Sequence, residues 1–494
     1  MKTFSGVYGK DTEQSNSLVD NLLKYPEISK TLVRQHQRYS LTYLLERAGR
    51  FSNAKVLADN SYEWKVLGRL NKPLVAAAGG EAAPDSGGSS GTYSASHTTS
   101  AANELFYIKF KSKASTGHYV LANRNDVVRF NSGCTALVIS VGAVSSDEQE
   151  IKFRQIGETN LAATDYDADV VAGTISSAFA EASAGSTVGQ TQVYPDTYKN
   201  WLTISRKKKK VTGSQLSDVT WIENNGQALW YFTAEELMIQ EFMYQLELAR
   251  WYGVKSDGLG DTVTAPGANT ASTLTDADGT VLQTGDGILA QIEGSNDGDY
   301  AGSLTEEALI DYMANLSKNA TTAEGMEYVV MTGTEGRKQF HRAMKELLVG
   351  SQVVSATNRG QGGGATIFDA KSGQDVELGV NFTSYHALGN KITMAYCPAF
   401  DDPNLHANAN EGGKMVFLDF STVGDGSNIE LVAKGAEGYN RNYIRKYVPG
   451  MVNPYDFNGM MAANGDDSFE CHVMSESGII VRNPLSCGIL TKTS

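Results

Sequence analysis

The sequence predicts an α+β fold in which many short β-strands accompany one long helix. Short β-prone segments recur between residues 104 and 157 at the roughly 8–12-residue spacing of all-β units. A segment with helix start and stop signals covers 233–253, and a strand–turn–helix segment covers 328–348. The chain has 50 glycines and only 10 prolines, which favours a turn-rich β or mixed protein over Pro-rich linkers.

Length and charge exclude several classes of protein. A chain of 494 residues is long enough for roughly two to four domains. Its 41% hydrophobic content excludes wholesale disorder, and its net charge of −14 argues against a dedicated nucleic-acid binder. No apolar run is long enough for a membrane span, and the first residues lack the apolar region of a signal peptide. The four scattered cysteines predict free thiols in a reducing compartment.

The N-terminal region is predicted to be an arm followed by a loop. Residues 1–60 carry nine bases and six acids, so their charge is 9 − 6 = +3. A weak helical pattern covers 28–50. Residues 76–103 are small and of low complexity, which is typical of a flexible loop.

A small β-meander is predicted next, over residues 104–157. In its last segment Ile151 and Phe153 alternate with charged residues, as in a half-buried strand. The strand candidates are Leu105–Phe110, His118–Ala122, Asp126–Phe130, Ala136–Val141 and Glu150–Ile156.

A long hairpin with a basic turn is predicted over residues 191–230. The β-prone arms Thr197–Ser205 and Asp218–Glu223 flank five consecutive bases: Arg206, Lys207, Lys208, Lys209 and Lys210. Two interpretations are open for this basic run. It is a solvated turn that protects the strand edges from aggregation, or it binds an acidic partner surface.

The clearest helix follows the hairpin. Thr233 and Glu236 fit a capping box, and Gly253 fits the residue just past a helix end. The apolar face is formed by Met238, Phe242, Leu246 and Ala249. A helix of about 20 residues is a rod about 30 Å long, which suits a structural spine.

The most acidic segment covers residues 256–313, which carry eleven acids and neither Lys nor Arg. Five of these acids lie between residues 257 and 286: Asp257, Asp261, Asp276, Asp278 and Asp286. Residues 276–279 and 297–299 have Asp–Gly patterns without the spacing or the terminal Glu of a calcium loop, so ordinary turns are predicted there.

The remaining segments alternate strands and helices. A second capping box, Ser303 with Glu306, predicts a helix that buries Leu309, Tyr312, Met313 and Leu316. A strand over Tyr328–Met331 precedes a helix that carries Phe340 and Met344. Near the C-terminus, Phe469–Met474 and Ile479–Asn483 predict a hairpin with a turn at Ser475–Gly478.

Catalytic, cofactor and metal sites are not predicted. The chain lacks the G-x-S-x-G, H-E-x-x-H and phosphate-loop spacings, and its seven histidines are dispersed. The sequence therefore predicts no enzyme, no cofactor and no metal.

The order of these segments resembles the major capsid proteins of tailed bacteriophages, which have the Johnson fold. A basic arm, a long hairpin, a spine helix, a strand–helix pair and a closing hairpin follow one another as in that family. The stretch Val473–Gly488, and the opening stretch through Trp64–Arg69, are most similar to capsid proteins of crAss-like phages.

The resemblance implies a domain organisation along the chain. It divides the sequence into an N-terminal arm and helix (1–75), a low-complexity loop (76–103) and an inserted β-rich domain (104–190). An E-loop (191–230), a P domain with the spine helix (231–302), an A domain (303–455) and a return to the P domain (456–494) follow.

The resemblance also implies a function and partners. The expected function is a structural shell protein that assembles as hexamers and pentamers into an icosahedral head around double-stranded DNA. Portal, scaffold and auxiliary head proteins are the other expected partners, and no membrane is involved. The expected location is the virion, and the host cytoplasm during assembly. An encapsulin-like shell protein and a surface-binding β-rich protein are the alternatives.

In this family the E-loop of one subunit lies across the P domain of its neighbour. The basic run Arg206–Lys210 is therefore expected at the E-loop tip, where it would contact acidic residues of the next subunit. The acids expected to take part are Asp257, Asp261, Asp276, Asp278 and Asp286.

Overall fold

A computed structural model of the chain separates into two compact units, residues 65–197 and residues 1–64 with 198–494. The residues that it describes are 41, 55–66, 73–77, 79–112, 120–181, 195–214, 230–256, 278, 280–292, 294, 296–319, 326–344, 384–403, 405, 411–423, 426–436, 439–455 and 462–493. Within these residues, strands and helices are mixed and most strand pairs are antiparallel. The predicted helix over 28–50 lies outside the described residues except for Leu41, which is buried.

Two strands precede the smaller unit in the chain. Strand β1 (Lys55–Leu57) pairs in parallel with a strand near the C-terminus, and β2 (Ser61–Val66) ends where the smaller unit begins.

The smaller unit is built on one eight-stranded sheet. Phe153 lies at the centre of its core, 5.4 to 5.9 Å from the rings of Phe106, Phe110 and Phe130. The sheet order is β3-β10-β7-β8-β9-β6-β4-β5. The strands are β3 (Leu74–Val75), β4 (Ala82–Ser86), β5 (Ser89–Ser90), β6 (Leu105–Lys111), β7 (Asp126–Arg129), β8 (Thr135–Ser145), β9 (Glu148–Ile156) and β10 (Val171–Ser177).

Two sequence predictions about this unit are wrong. Residues Val120–Ala122 are not in a strand, although a strand was expected over 118–122. The low-complexity segment forms β4 and β5 instead of a loop, and Ala82 and Ala83 are fully buried beside β6. Their small side chains fit a closely packed site, and pairing with β6 satisfies the backbone polar groups that burial would otherwise leave without partners.

The predicted hairpin around the basic run is also wrong. Strand β11 (Asp196–Trp201) pairs with β2, and strand β12 (Thr203–Thr212) pairs with the C-terminal strand β23 (Ser468–Val481) over ten residues. The basic residues Arg206–Lys210 therefore lie inside a strand and not at a turn. The second predicted arm, 218–223, lies outside the described residues.

Helix α1 (Trp230–Tyr252) is the predicted spine helix. It includes Thr233, so that residue is inside the helix and does not cap it. Met238, Phe242 and Leu246 are buried as predicted, whereas Ala249 is exposed. After the helix, Gly253 must be glycine because an added Cβ would lie 2.6 to 2.7 Å from the carbonyl oxygens of Ala249 and Gly285.

The central part of the larger unit alternates strands and helices. Helix α3 buries the four predicted side chains, and its cap is Thr305 instead of Ser303, because the Thr305 hydroxyl accepts a hydrogen bond from the Ala308 amide at 3.2 Å. The elements are α2 (Ile288–Ile292), β13 (Asp297–Ala301), α3 (Glu306–Asn319), β14 (Glu327–Thr332), helix α4 (334–344), β15 (Ser384–Ala387) and β16 (Asn390–Tyr396).

The C-terminal part completes two six-stranded sheets. Their orders are β1-β20-β23-β12, with β21 on β20 and β22 on β23, and β13-β24-β17-β14-β16-β15. Strands β18 and β19 form a separate two-stranded sheet, and they lie between β17 and β20 in the sequence. The strands are β17 (Met415–Asp419), β18 (Thr422–Val423), β19 (Gly426–Ser427), β20 (Ile429–Ala436), β21 (Tyr439–Asn440), β22 (Ile444–Pro449), β23 and β24 (Gly488–Thr493).

The predicted C-terminal hairpin is one continuous strand. Residues Ser475–Gly478 were expected to turn, but β23 runs through them. Ser475, Glu476 and Ser477 pair with β12 on one side, and Ser477 and Gly478 pair with β20 on the other. Ladder hydrogen bonds on both sides outweigh the turn preference of these residues.

Candidate assembly surface

The basic run alternates between the two faces of the sheet, because successive side chains of a strand point in opposite directions. Arg206 and Lys208 are exposed, whereas Lys207 and Lys209 are half-buried. The five consecutive bases therefore do not form one patch.

The inner face of this sheet region packs against helix α1. Lys207 forms an ion pair with Glu241 of the helix. Cys471 and Val473, the neighbours of Lys209 and Lys207 on β23, join the apolar side chains of α1 in one buried cluster with Met238, Phe242 and Leu246. The inner bases thus belong to the packing of the spine helix on its own sheet.

A buried carboxylate fastens the same helix to strand β22. Glu235 of α1 is 2% exposed and accepts hydrogen bonds from the hydroxyls of Tyr447 at 2.7 Å and Tyr455 at 2.6 Å. Arg445 Nη2 lies 2.6 Å from the same carboxylate, and Cys471 Sγ lies 3.6 Å away. Burying an unpaired charge is costly, so these donors make the buried Glu235 tolerable.

The outer face carries bases from three strands. Lys208 of β12 and Lys446 of β22 are both direct neighbours of His472 on β23, one on each side. Arg206 lies on the same face, two residues from Lys208. We call these four residues, Arg206, Lys208, Lys446 and His472, the cationic face.

One carboxylate lies within this region. Glu470 is 2.9 Å from His472 Nε2 and 3.4 Å from Lys210 Nζ. Desolvation opposes its ionisation, but hydrogen bonds from His472 and Lys210 and the charge of Lys208 hold the pKa of Glu470 below its usual range. Lys210 is therefore neutralised within its own chain, and it also lies 3.9 Å from Asp466.

A shallow groove follows the cationic face. Its volume is about 370 Å³, and it is open to solvent. It is lined by Arg206, Lys207, Lys208, His472, Val473 and Met474. An extended acidic segment would complement such a groove in both shape and charge.

The five acids predicted as partners have different positions. Asp257, Asp261 and Asp276 lie outside the described residues, and Asp278 is exposed. Asp286 is engaged within its own chain: it accepts the Lys255 amide at 2.7 Å and lies 3.3 Å from Lys255 Nζ. Its carboxylate fixes the connection after the spine helix, while its role as an inter-subunit contact stays a prediction.

Sequence reasoning missed Lys446 and His472 as members of this surface. Each is separated from the basic run by more than 200 residues, and neither lies in a recognisable motif. The β-prone residues Ile444, Tyr447 and Val448 are typical of a strand, but nothing in the sequence predicts which strand this segment pairs with.

Within the described residues, the chain has neither a helix suited to cross a membrane nor a group of side chains suited to bind a metal ion. None of the helices within these residues has the length and apolarity needed to cross a bilayer. In the same part of the chain, groups of three or more His, Cys, Asp or Glu side chains placed to bind a metal ion are absent.

A protein-family model matches nearly the whole chain. The family model described as Crassvirus major capsid protein matches residues 4–493. A major capsid protein of Bacteroides phage crAss001 is 24% identical over 213 residues, and this match spans 42% of each of the two chains.

The comparison with solved structures matches chains from phages and from an encapsulin. A structure from Mycobacterium phage Bobi has a TM-score of 0.38 and 7% identity, covering 98% of this chain and 100% of that chain. One from Gordonia phage Cozz has a TM-score of 0.35 and 10% identity, with full coverage of both chains. An encapsulin complex from Synechococcus elongatus has a TM-score of 0.30 and 11% identity, covering 60% and 75%.

The family match confirms the predicted resemblance to crAss-like phage capsid proteins. With it, the predicted α+β capsid fold and the predicted structural role in a virion are also confirmed. Because the matched residues extend over almost all of the sequence, the chain belongs to the Crassvirus major capsid protein family.

Proposed function

We propose that this chain builds a phage head by assembling as hexamers and pentamers into an icosahedral shell around double-stranded DNA. The observation that carries the proposal is the family match over residues 4–493. In this proposal the chain has no enzyme activity, and its partners are other copies, portal, scaffold and auxiliary head proteins, and the packaged DNA. It resides in the virion and assembles in the host cytoplasm.

The proposed assembly assigns roles to parts of the fold. Residues 231–302, with helix α1, serve as the P domain, and residues 303–455 serve as the A domain. Residues 456–494, with β23 and β24, return to the P domain. The eight-stranded unit, 65–197, supports the expectation of an inserted β-rich domain. The residues around β12 are proposed to contact the neighbouring subunit.

The test is the size of the purified chain. Sedimentation velocity and negative-stain microscopy over a range of salt and protein concentration should detect capsomer rings or closed shells. Particles from infected cells should contain nuclease-resistant double-stranded DNA. A chain that stays monomeric in all assembly conditions, alone and with the head proteins of its phage, would contradict the proposal.

A further inference from the structure

We propose that the cationic face binds acid-rich residues from the 256–313 segment of a second copy of this chain. This inference rests on the proposed shell assembly and names the surface and the charge that direct it. It assigns the contact to alternate residues of β12 together with Lys446 and His472, which come from other strands. It excludes Lys207 and Lys209, which face the helix.

The arrangement of the bases is unfavourable in an isolated subunit. Adjacent strands are about 4.8 Å apart, so Lys208 and Lys446 stand about 10 Å apart on either side of His472. At this separation the two lysine charges repel each other, and Glu470 offsets part of the charge of Lys208. Within the described residues, neither Arg206 nor Lys446 has a carboxylate within ion-pair distance. An anionic segment laid over this row would remove the repulsion.

Charge complementarity identifies the partner as this same protein. Residues 256–313 carry eleven acids and no Lys or Arg, although the chain has 42 such bases elsewhere. One of these acids, Asp286, is neutralised by Lys255 of its own chain, whereas Asp299, Glu307 and Asp311 are exposed. In an assembling shell, this acidic segment is present on every subunit that a cationic face encounters.

Duplex DNA fits the same face less well. Nucleic-acid affinity grows with the number of phosphates that bases neutralise, and this face offers only three side chains with permanent charge: Arg206, Lys208 and Lys446. Binding one short acidic segment requires fewer bases than binding a DNA duplex.

Zero-length cross-linking tests the contact directly. Wild-type chain and ¹⁵N-labelled chain are mixed, assembled and treated with a carbodiimide, which activates carboxyls so that a lysine amine in contact forms an amide. We expect mixed-isotope peptide pairs that join Lys208 or Lys446 to an acid between 257 and 311. Lys207 supplies the internal control, because its link to Glu241 should contain one isotope only.

Paired variants test whether the contact drives assembly. Lys208→Gln with Lys446→Gln should slow shell formation at least about ten-fold at low salt, and the difference should shrink at high salt. The control Lys65→Gln, at an exposed lysine outside the groove and the cationic face, should assemble close to the wild-type rate. Thermal unfolding of each variant separates a loss of contact from a loss of folding.

Three results would overturn the inference. Wild-type shells without mixed-isotope links to Lys208 or Lys446 would overturn it while leaving the proposed function intact. A second result would be binding of a 20-base-pair DNA duplex by the wild-type chain that is lost in the Lys208→Gln, Lys446→Gln variant, together with the absence of the mixed-isotope links. The cationic face would then bind nucleic acid instead of a second copy. A wild-type chain that neither assembles nor forms these links would contradict both proposals.

Discussion

Glu235 anchors the spine helix to strand β22, so its replacement should loosen the larger unit. The carboxylate accepts hydrogen bonds from Tyr447, Tyr455 and Arg445 and is 2% exposed. In Glu235→Ala all of these donors lose their acceptor, and a cavity replaces the side chain. The variant therefore tests whether this buried network holds the helix and the strand together.

The expected loss follows from how well each donor can rehydrate. A hydrogen bond to a charged group contributes about 1.5–3 kcal/mol, which would give an upper total of about 5–9 kcal/mol for three such bonds. The donor residues keep part of their surface in solvent (Tyr447 36% and Tyr455 48% of the residue, Arg445 39% of the side chain), so water can replace part of the loss. We therefore expect a decrease of about 3–5 kcal/mol in the free energy of unfolding, as when one partner of a buried ion pair is removed.

Urea unfolding of unassembled subunits measures this free energy, and hydrogen exchange of the β22 amides reports local opening. Tyr455→Phe should cost about 1–2 kcal/mol, because it removes one donor and leaves the others. A double-mutant cycle between Glu235→Gln and Tyr455→Phe should give a non-zero coupling energy. A loss below about 1 kcal/mol in Glu235→Ala, with β22 still protected from exchange, would refute this reasoning.

Three further predictions concern other parts of the chain. Although desolvation opposes it, hydrogen bonds from Gln339, Lys338 and Lys492 lower the pKa of Glu335 from 4.5 to about 2. The stability that this carboxylate contributes is therefore complete above about pH 4.5 and is lost as pH falls toward 2. Glu335 is partly exposed, so Glu335→Gln should remove only about 1 kcal/mol of acid-dependent stability. The measurement is the difference between the free energies of unfolding at pH 5 and at pH 2.5, and an equal difference in the wild type and the variant would contradict this. Gly285→Ala should lower stability by about 3 kcal/mol or more, because its Cβ would lie 2.1 Å from the Trp201 carbonyl oxygen, whereas Gly465→Ala has open space and should be nearly neutral in thermal unfolding. All four cysteines are buried thiols, and burial raises the pKa of Cys134 to about 11 and those of Cys471 and Cys487 to about 12. An aromatic disulfide reagent should therefore react with them only after unfolding, and rapid reaction of the folded chain would count against the packing described.

Local periodicity predicted the elements whose side chains follow one clear pattern. The 3.6-residue spacing of Met238, Phe242 and Leu246 predicts α1, and the side chains predicted for α3 are buried as expected. Strands β6, β8 and β9 of the smaller unit also match alternating segments of the sequence. In these segments, local spacing and tertiary packing favour the same conformation.

Predictions failed where pairing with a distant strand outweighed local preference. The basic run Arg206–Lys210 and the Ser475–Gly478 segment both have the composition of turns, yet they pair with each other's strands in one ladder. Residues 76–103 look like a loop because their side chains are small, and small size is also why Ala82 and Ala83 fit against β6. A ladder satisfies a row of backbone groups at once, and no local pattern indicates its partner.

The sequence by itself determined the class of protein, the spine helix, and the separation of a basic segment from an acidic one. The helix and the charge separation follow from spacing and composition, which are properties of neighbouring residues. The class of protein follows from the resemblance of the segment order and of Val473–Gly488 to phage capsid proteins. Only the tertiary structure decided which bases share a face: Lys207 turns toward Glu241, while Lys208 joins His472 and Lys446. The alternation of a strand divides the run, and the register of β12, β23 and β22 brings together residues more than 200 positions apart.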